Sequence, residues 1–556
     1  MNNIKQHNNP KQSFYNILTE NIGRHLNATA VYFMGKKIKF ANFLKEIDKT
    51  ASFLQNIGVS ASDVITVCLP NIPSAFIAFY AVSKLGAVIN MVHPLTPGLA
   101  LCEIMKNTKS NIVFTLDLKF KENYSNFCSN GFKCIVCGAA HHLPKIKGFF
   151  YKIINRKFFN FKGLNYIDFK VCQKTIKTDI VPNNDYLKPA LYLHSGGTTG
   201  EPKTIALSSF AVNSNAVYVP YMIERQKDFV GLTVLGVLPM FHGFGLSIGI
   251  NGSLILGATV VAMPMFSPKL IVKTMRKLPI NYFLGVSAIY EALLKNKKFI
   301  NKNTKHILRC FCGGEAMSHS LKQRFDAFLE SGKSEAKLQE GYGLTEMVTV
   351  TAVNLKDDNV IGSVGKALPG LSVIAVNENN KIVKEGELCF AGNTQMSEYL
   401  NAFETNKKVF FEHDNRRYVK TGDFGYVDEN GYIFIKQRIK RIAKVNGIAV
   451  FPLEIERYSE ELDFVLSACA IAVPSKKHGE VISLFIILKD NNSDKELIKT
   501  KLQNHLKSKL IKYAVPKREK IFFVKDFPKT NVGKIDFKKL EESVGMAEKH
   551  VDTNYA

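Results

Sequence analysis

The chain has 556 residues, 46% of them hydrophobic and 22% charged. That balance supports several folding units of about 150 residues and excludes a disordered tail, a collagen-like fibre or a small disulfide scaffold. Lys and Arg outnumber Asp and Glu by 74 to 48, and 62 of those cations are lysine against 12 arginine. Base-reading surfaces depend on arginine's planar fork. The excess, spread along the whole chain, therefore argues against sequence-specific nucleic-acid binding. It leaves a compositional bias, or attraction to an anionic membrane or polyanionic ligand.

The first twelve residues, MNNIKQHNNPKQ, are polar and lack the pattern of a secretory signal. With ten scattered cysteines, they predict reduced thiols and a cytoplasmic chain, with peripheral contact at the inner membrane face as a further expectation. DVITVCLPN (63–71) reads as a strand, SAFIAFYAVSKLG as a helix closed by Gly86, and AVINMVHPL as the next strand. EIMKNTKS continues as helix and NIVFTL as strand. This alternation predicts βαβ units in a mainly parallel sheet. Cys134 and Cys137, with His141 and His142 beyond, suggest zinc. KCIVCG also reads as a short buried strand, and no second ligand pair stands at finger-like spacing. In 144–163, PKIKGFFYKIINRKFFNFKG, a helix would put Phe150, Ile154, Phe158 and Phe161 on one face and Lys152 and Arg156 on another. That predicts a basic amphipathic helix lying on a membrane; a helix docked on its own domain is the alternative.

Residues 229–266 contain no Asp, Glu, Lys or Arg, a run long enough to span a bilayer. Glycines and prolines break it into GLTVLGVLPMF, HGFGLSIGINGSLILG and ATVVAMPMF, read as strand, loop, helix and strand buried on all sides. From about residue 350 short alternating strands with Asn/Gly turns predict a small β-rich unit, and ENGYIFI (429–435) is a further strand. Residues 440–556 form a separate, smaller unit with strands CAIAV, VISLFIIL and KIFFV and two helices. The expected fold is α/β, with a domain of residues 1–439 containing mainly parallel sheets plus the β-rich subdomain, and an α+β domain of residues 440–556.

Four segments carry residues suited to chemistry. HSGGTTGEPK places Gly196, Gly197 and Gly200 where backbone bends closely round a ligand, Ser195, Thr198 and Thr199 as hydroxyl donors, and Lys203 as a cation. The set suits a polyphosphate, although it is not the Walker loop, whose lysine directly follows the last glycine. A plain surface turn is the alternative. In EGYGLTE (340–346), Gly341 and Gly343 permit a tight turn presenting Tyr342 for stacking, and Glu346 is a carboxylate able to hold Mg²⁺ on phosphates. In KTGDFGYVDENGY, Asp423 suits ribose hydroxyls. For both, a turn with incidental acids remains open. In PKTNVGKIDFKKL, Lys534 follows a glycine and by itself specifies nothing.

In this order the four segments, with LPMFHGFG (238–245), GGEAMS (313–318), GELCFAG (386–392) and QRIKRIAKVNG (437–447), resemble the adenylate-forming superfamily: acyl-CoA synthetases, luciferases and peptide-synthetase adenylation domains. The resemblance implies two substrate half-reactions and a mobile C-terminal domain. It implies that the loop from Ser195 to Lys203 orients the phosphates of ATP. Gly314, Glu315 and Ala316, with Glu340, Gly341 and Tyr342, would form the adenine wall. Thr345 would contact the α-phosphate, Glu346 the Mg²⁺, and Asp423 with Arg438 the ribose. Lys534 would bridge substrate carboxylate and α-phosphate, and His242 would lie near that carboxylate. Lys440 would be a hinge, with Lys444 and Gly447 on the face turned inward for thioester formation. The expected substrates are a medium- or long-chain fatty acid, ATP and coenzyme A. A ligase loading a carrier-protein thiol, an aromatic-acid CoA ligase and a catalytically silent scaffold are the alternatives. Two positions depart from the superfamily pattern: Thr204, where glycine is usual, and His194, where an aromatic is frequent. MVTVTAVN after Glu346 leans toward fatty-acyl members.

Overall fold

A computed structural model describes residues 9–195, 203–224, 229–299, 304–475, 479–490, 494–529 and 535–552, with side chains as far as 544. The expected alternation is present: strand Val64–Cys68, helix Pro73–Leu85, strand Val88–Met91, helix Gly98–Asn107 and strand Ser110–Leu116. All thirteen residues of Pro73–Leu85 are buried, because SAFIAFYAVSKL is apolar nearly all round. Gly86 ends the helix at φ +75°, and a Cβ there would stand 2.6 Å from the Asn183 side chain. Only glycine meets both conditions. Lys84, in the last turn, pairs with buried Asp48 at 2.7 Å.

Among the described residues the strands form two large sheets, of eight and nine strands. In the first, Val64–Cys68 lies parallel to both Val88–Met91 and Ser110–Leu116, and Lys133–Cys137 continues the parallel run. In the second, Thr233–Gly236, Thr259–Ala262, Tyr282–Gly285, Arg309–Cys312 and Leu338–Gly343 pair in parallel. Antiparallel strands close the edges. Val31 and Val260 from one sheet and Ile65, Ile89 and Leu191 from the other share a single buried cluster with Phe76 and Tyr80 of the central helix. This is the mainly parallel, helix-covered arrangement expected of βαβ units.

The charge-free run is strand Thr233–Gly236, helix Phe244–Ile255 and strand Thr259–Ala262, but Phe244–Gly252 is wound as a π-helix. Among the described residues no helix is long and apolar enough to cross a membrane. The β-rich unit pairs Ser372–Val376, Glu385–Ala391, Arg416–Val427 and Phe410–His413, with Ile433–Arg438 beside Arg416–Val427. A 3₁₀ turn, Ile439–Arg441, leads to a further sheet of Ala443–Val445, Ile448–Val450, Val465–Ser475, Gly479–Leu488 and Ile521–Phe523. Helices Pro452–Glu460 and Lys495–Lys509 accompany this sheet, and Ile455, Leu502 and Leu506 share its own buried cluster.

The 144–163 segment differs from expectation. It is helical only over Lys145–Ile154, followed by a 3₁₀ turn Arg156–Phe158. Asn155 ends the helix, its Nδ2 bonding back to the Tyr151 carbonyl at 2.9 Å, a local bond that competes with helix continuation. Phe161 does not share the face of Phe150 and Ile154. It packs edge-on against Phe120, ring centroids 5.1 Å apart.

Candidate active site

The site is assembled from three pairings, each joining segments far apart in sequence. The parallel register of Cys312 against Glu340 brings GGEAMS beside EGYG. Glu340 Oε1 accepts a hydrogen bond from the Met317 N–H at 3.1 Å, tying the two segments together behind Gly314, Glu315 and Ala316. Burial pushes the Glu340 carboxyl up to about 7, against the opposing pull of that N–H, Arg457 and Lys322.

The second pairing joins Tyr342, Asp423 and Arg438. Antiparallel register sets Asp423 opposite Arg438. Asp423 Oδ1 lies 2.8 Å from Arg438 Nε, and Oδ2 accepts the Tyr342 hydroxyl at 2.5 Å. The carboxylate is buried while Arg438 is more than half exposed. Burial raises the Asp423 pKa, and Arg438 is the chief influence holding it down. The Tyr342 hydroxyl thus orients the acid. A carboxylate has about four lone-pair sites, so two hydrogen bonds leave acceptor capacity for a ligand's hydroxyls.

The third pairing links Lys203 to Glu346. Ser195 N–H donates to the Lys203 carbonyl at 2.9 Å, and the Lys203 N–H donates to Ser195 Oγ at 3.0 Å, closing the base of the glycine-threonine loop. Gly196, Gly197, Thr198, Thr199 and Gly200 lie outside the described residues. Lys203 Nζ stands 4.8 Å from the centroid of the Tyr399 ring, and the Tyr399 hydroxyl donates to Glu346 Oε1 at 2.6 Å. Sequence reasoning missed Tyr399, because nothing in MSEYLN marks it. Its place comes from the two-residue strand Glu398–Tyr399 pairing with Ile205 and Ala206, and from the Met396 N–H donating to the Glu346 carbonyl at 2.8 Å.

Thr345 and Glu346 occupy the 3₁₀ turn Thr345–Met347. Val348 follows at φ +67° and ψ −63°, and the Thr349 N–H bonds to the Met347 carbonyl at 2.8 Å. This is a strained γ-turn, rare for a β-branched residue. It packs against Gly243, where a Cβ would fall 2.0 Å from the Val348 oxygen. Glycine is required there by approach, and it brings His242 and the charge-free run to the Glu346 turn. His242 is exposed, not part of the core.

Lys440 and Lys444 are exposed on the turn Ile439–Arg441 and the strand Ala443–Val445, and are not drawn into these pairings. Lys534 lies outside the described residues. Cys134 and Cys137 lie buried in strand Lys133–Cys137, and burial holds the Cys134 thiol near 12. Among the described residues, no group of three or more His, Cys, Asp or Glu side chains is placed to hold a metal. The donor set at Glu346 is a single carboxylate, which fits Mg²⁺ bound jointly by protein and phosphate oxygens, since that ion keeps waters and needs few protein ligands.

A two-sheet α/β body with a smaller β-containing C-terminal unit, and motifs paired in this way, define an adenylate-forming enzyme. The chain belongs to the AMP-binding enzyme family, which matches residues 18–400, and the AMP-binding enzyme C-terminal domain matches residues 454–534. Within it, the chain is an AMP-forming acid–CoA ligase. A long-chain-fatty-acid–CoA ligase of Bacillus subtilis (strain 168) is 30% identical over 549 residues, covering 96% of this chain and 95% of its own. A probable 4-coumarate–CoA ligase of Dictyostelium discoideum is 28% identical over 509 residues, covering 89% and 88%. The ATP-bound crystal structure of MatB from Rhodopseudomonas palustris shares the fold, with a TM-score of 0.79 at 21% identity over 95% of this chain and 98% of that one.

Proposed function

We propose that this ligase activates a medium- or long-chain fatty acid as its acyl-adenylate and transfers the acyl group to coenzyme A. The observation that carries the adenylation half is the Lys203–Tyr399–Glu346 linkage, which puts a cation and a carboxylate on one aromatic side chain at the mouth of the phosphate loop. For the acyl group, the Gly243–Val348 contact sets the charge-free run against the Glu346 turn, offering an apolar chain an uncharged wall. The name of the Bacillus relative supports the same reading; that of the Dictyostelium relative keeps aryl acids in the test.

In this reading, residues 195–203 with Lys203 cradle the phosphates and Thr345 contacts the α-phosphate. Gly314, Glu315, Ala316, Glu340, Gly341 and Tyr342 wall the adenine, while Asp423 and Arg438 hold the ribose. Glu346 would hold Mg²⁺ together with the nucleotide, and the ion would supply charge neutralisation at the phosphates. A carboxylate oxygen of the acid, positioned near His242, attacks the α-phosphorus, and the bond to pyrophosphate breaks. Lys534 and Lys203 counter the like-charge approach and the negative charge of the transition state. In the second step the coenzyme A thiol loses its proton, its sulfur attacks the acyl carbon, and AMP leaves. The same cleft serves both steps if residues 440–556 turn as a domain about Lys440, exchanging Lys534 for the face bearing Lys444 and Gly447.

The test is ATP-dependent pyrophosphate release with a panel of fatty, benzoate-like and cinnamate-like acids, each with and without coenzyme A. Release that rises with fatty chain length and yields acyl-CoA is the expected result. Preference for an aryl acid overturns the acyl assignment. Adenylate formation without coenzyme A turnover moves the acceptor to a carrier-protein thiol.

A further inference from the structure

The helix Lys145–Ile154 turns its apolar side outward. Gly148 is buried and Tyr151 donates its hydroxyl to Asp117 Oδ1 at 3.0 Å, so this narrow face holds the helix to the protein. Ile146, Phe149, Phe150, Ile153 and Ile154 stand at the i, i+3, i+4, i+7, i+8 spacing of one helix face and are 48–73% exposed. At 3.6 residues per turn, Lys145 and Lys152 flank that stripe on one side and Lys147 on the other.

Beside the helix lies a cavity of about 410 Å³ whose lining includes Lys36, Lys37, Lys45, Lys49 and Lys170, with His141 and His142 at its wall. Helix and cavity share an edge. Lys147 Nζ donates to the Met34 carbonyl, in the turn that leads to Lys36 and Lys37, and His142 precedes the helix by one short loop. The nearby carboxylates are occupied: Glu46 Oε2 lies 2.7 Å from His142 Nε2, and Asp168 Oδ1 lies 3.3 Å from His141 Nε2. Among the described residues, Lys36, Lys37 and Lys45 make no ion pair. The cavity is therefore a pocket of net positive charge, five lysines against the single carboxylate of Glu46, beside an apolar face.

We propose that this face docks on an anionic phospholipid surface, with the helix lying in the headgroup layer and the lysine cavity receiving a lipid phosphate. Apolar residues bordered by lysines match a membrane interface, where apolar side chains enter the acyl boundary and ammonium groups meet phosphates. A soluble polyanion would satisfy the lysines but leave five large apolar side chains in water. A second copy of this chain would bring basic rim to basic rim between partners of formal charge +26. The inference stands apart from the acyl-chain assignment, because its readout is binding and not turnover.

The test is sedimentation of the full chain with vesicles of phosphatidylcholine alone and of phosphatidylcholine mixed with phosphatidylglycerol, at low and high salt. The expected result is binding to the mixed vesicles that weakens with salt, with little binding to the neutral ones. Phe149→Ser/Phe150→Ser abolishes most of it, and Lys36→Ala/Lys37→Ala weakens it about fivefold per lysine. Both variants change exposed or rim positions, so unchanged melting temperatures certify the fold. Absence of vesicle binding overturns the proposal, as does equal binding to neutral vesicles or binding untouched by both variants. A concentration-dependent dimer that Phe149→Ser/Phe150→Ser dissolves assigns the face to a second copy instead.

Discussion

The Thr204 hydroxyl and His194 Nδ1 meet at 3.2 Å across the antiparallel pair that closes the phosphate loop. These are the two positions where the loop departs from the superfamily pattern, and they depart together. On its other side, His194 Nε2 lies 2.8 Å from Asn90 Oδ1, while Asn90 Nδ2 donates to Thr66 and Thr108. Because the Asn90 amide nitrogen is committed to those threonines, its oxygen faces the ring. His194 therefore carries its proton on Nε2 and accepts at Nδ1. The pair replaces an aromatic and a glycine with one hydrogen-bonded unit. Thr204→Val alone should leave Nδ1 unpaired and cost about 1–3 kcal/mol. His194→Phe alone should cost a similar amount by stranding Asn90 and Thr204. The double variant should cost less than the sum, with a coupling of about 1 kcal/mol. Denaturant titration of all four proteins measures it, and strict additivity would show that the two departures are unconnected.

The same histidine sets a pH dependence. Burial lowers the His194 pKa from 6.5 to about 4. Between those values the unfolded chain binds a proton that the folded chain does not, so stability rises with pH across this window and is lost as pH falls through it. The shift corresponds to about 3 kcal/mol at neutral pH. Glu340 and Glu460, raised to about 7, and Asp117, raised to about 6, act in the opposite sense, since their folded forms hold protons that the unfolded chain releases. The measurement is therefore a difference: denaturant midpoints of wild type and of His194→Phe/Thr204→Val from pH 4 to pH 7. The double variant should lose less stability on acidification than wild type. Parallel curves would refute a neutral, partly buried His194.

Tyr399 joins Lys203 to Glu346, the carboxylate proposed to hold Mg²⁺, and its two contacts are separable. Tyr399→Phe removes the hydroxyl from Glu346 and keeps the ring beneath Lys203; Tyr399→Leu removes both. Loss of a hydrogen bond that orients a metal-binding carboxylate costs about 10–100-fold in metal affinity or activity. Tyr399→Phe should raise the Mg²⁺ concentration needed for half-maximal pyrophosphate release, with recovery at high Mg²⁺. Tyr399→Leu should not recover, because the phosphate-side lysine is also released. Equal recovery by both would confine the ring's contribution to packing.

The sequence exposed those parts of the site whose chemistry sits in the residue type itself. Glycines around Ser195 and Tyr342, an acid at Glu346 and an acid beside a glycine at Asp423 suit phosphate and nucleotide binding through backbone freedom and charge, and their ordered combination carried the family resemblance. Tyr399 was illegible because its role arises only when a two-residue strand pairs with a distant one. Helical periodicity in 144–163 held as far as Ile154. Beyond it, the Asn155 side-chain bond and the packing of Phe161 on Phe120 are events that no spacing encodes. The π-helix Phe244–Gly252 was hidden for another reason. A segment apolar on every side has no phase to read, so nothing in its pattern distinguishes a π-helix from an α-helix.

Two glycines of that run should respond oppositely to alanine. At Gly243 a Cβ falls 2.0 Å from the Val348 oxygen, a backbone atom with no freedom to withdraw. At Gly249 the nearest atom is Leu284 Cδ1 at 3.5 Å, an ordinary contact. Gly243→Ala should cost about 1–3 kcal/mol or more through forced backbone shifts and displace the Glu346 turn, lowering pyrophosphate release with it. Gly249→Ala should be neutral or stabilising by up to about 1 kcal/mol, since alanine favours a helix over glycine. Thermal melts and release assays on both variants decide it. A tolerated Gly243→Ala would mean that the γ-turn at Val348 is not held by this contact.

Substitutions at Lys440 and Lys534 should separate the two half-reactions. Lys440 lies in the 3₁₀ turn Ile439–Arg441, between the sheet that carries Asp423 and the sheet that begins at Ala443. A domain rotation about this turn requires its backbone dihedrals to change, and proline holds φ near −65° and removes the N–H. Lys440→Pro should therefore spare pyrophosphate exchange, which needs only the adenylating arrangement, and slow acyl transfer to coenzyme A by at least about tenfold if the rotation limits turnover. Lys534→Ala should show the reverse, losing about 10²–10³ in adenylation, as expected for deleting one cation from a preorganised site. With chemically prepared acyl-adenylate supplied, it should still form thioester. Equal loss of both half-reactions in Lys440→Pro would remove the hinge from that turn, and near-normal exchange in Lys534→Ala would remove that lysine from the first step.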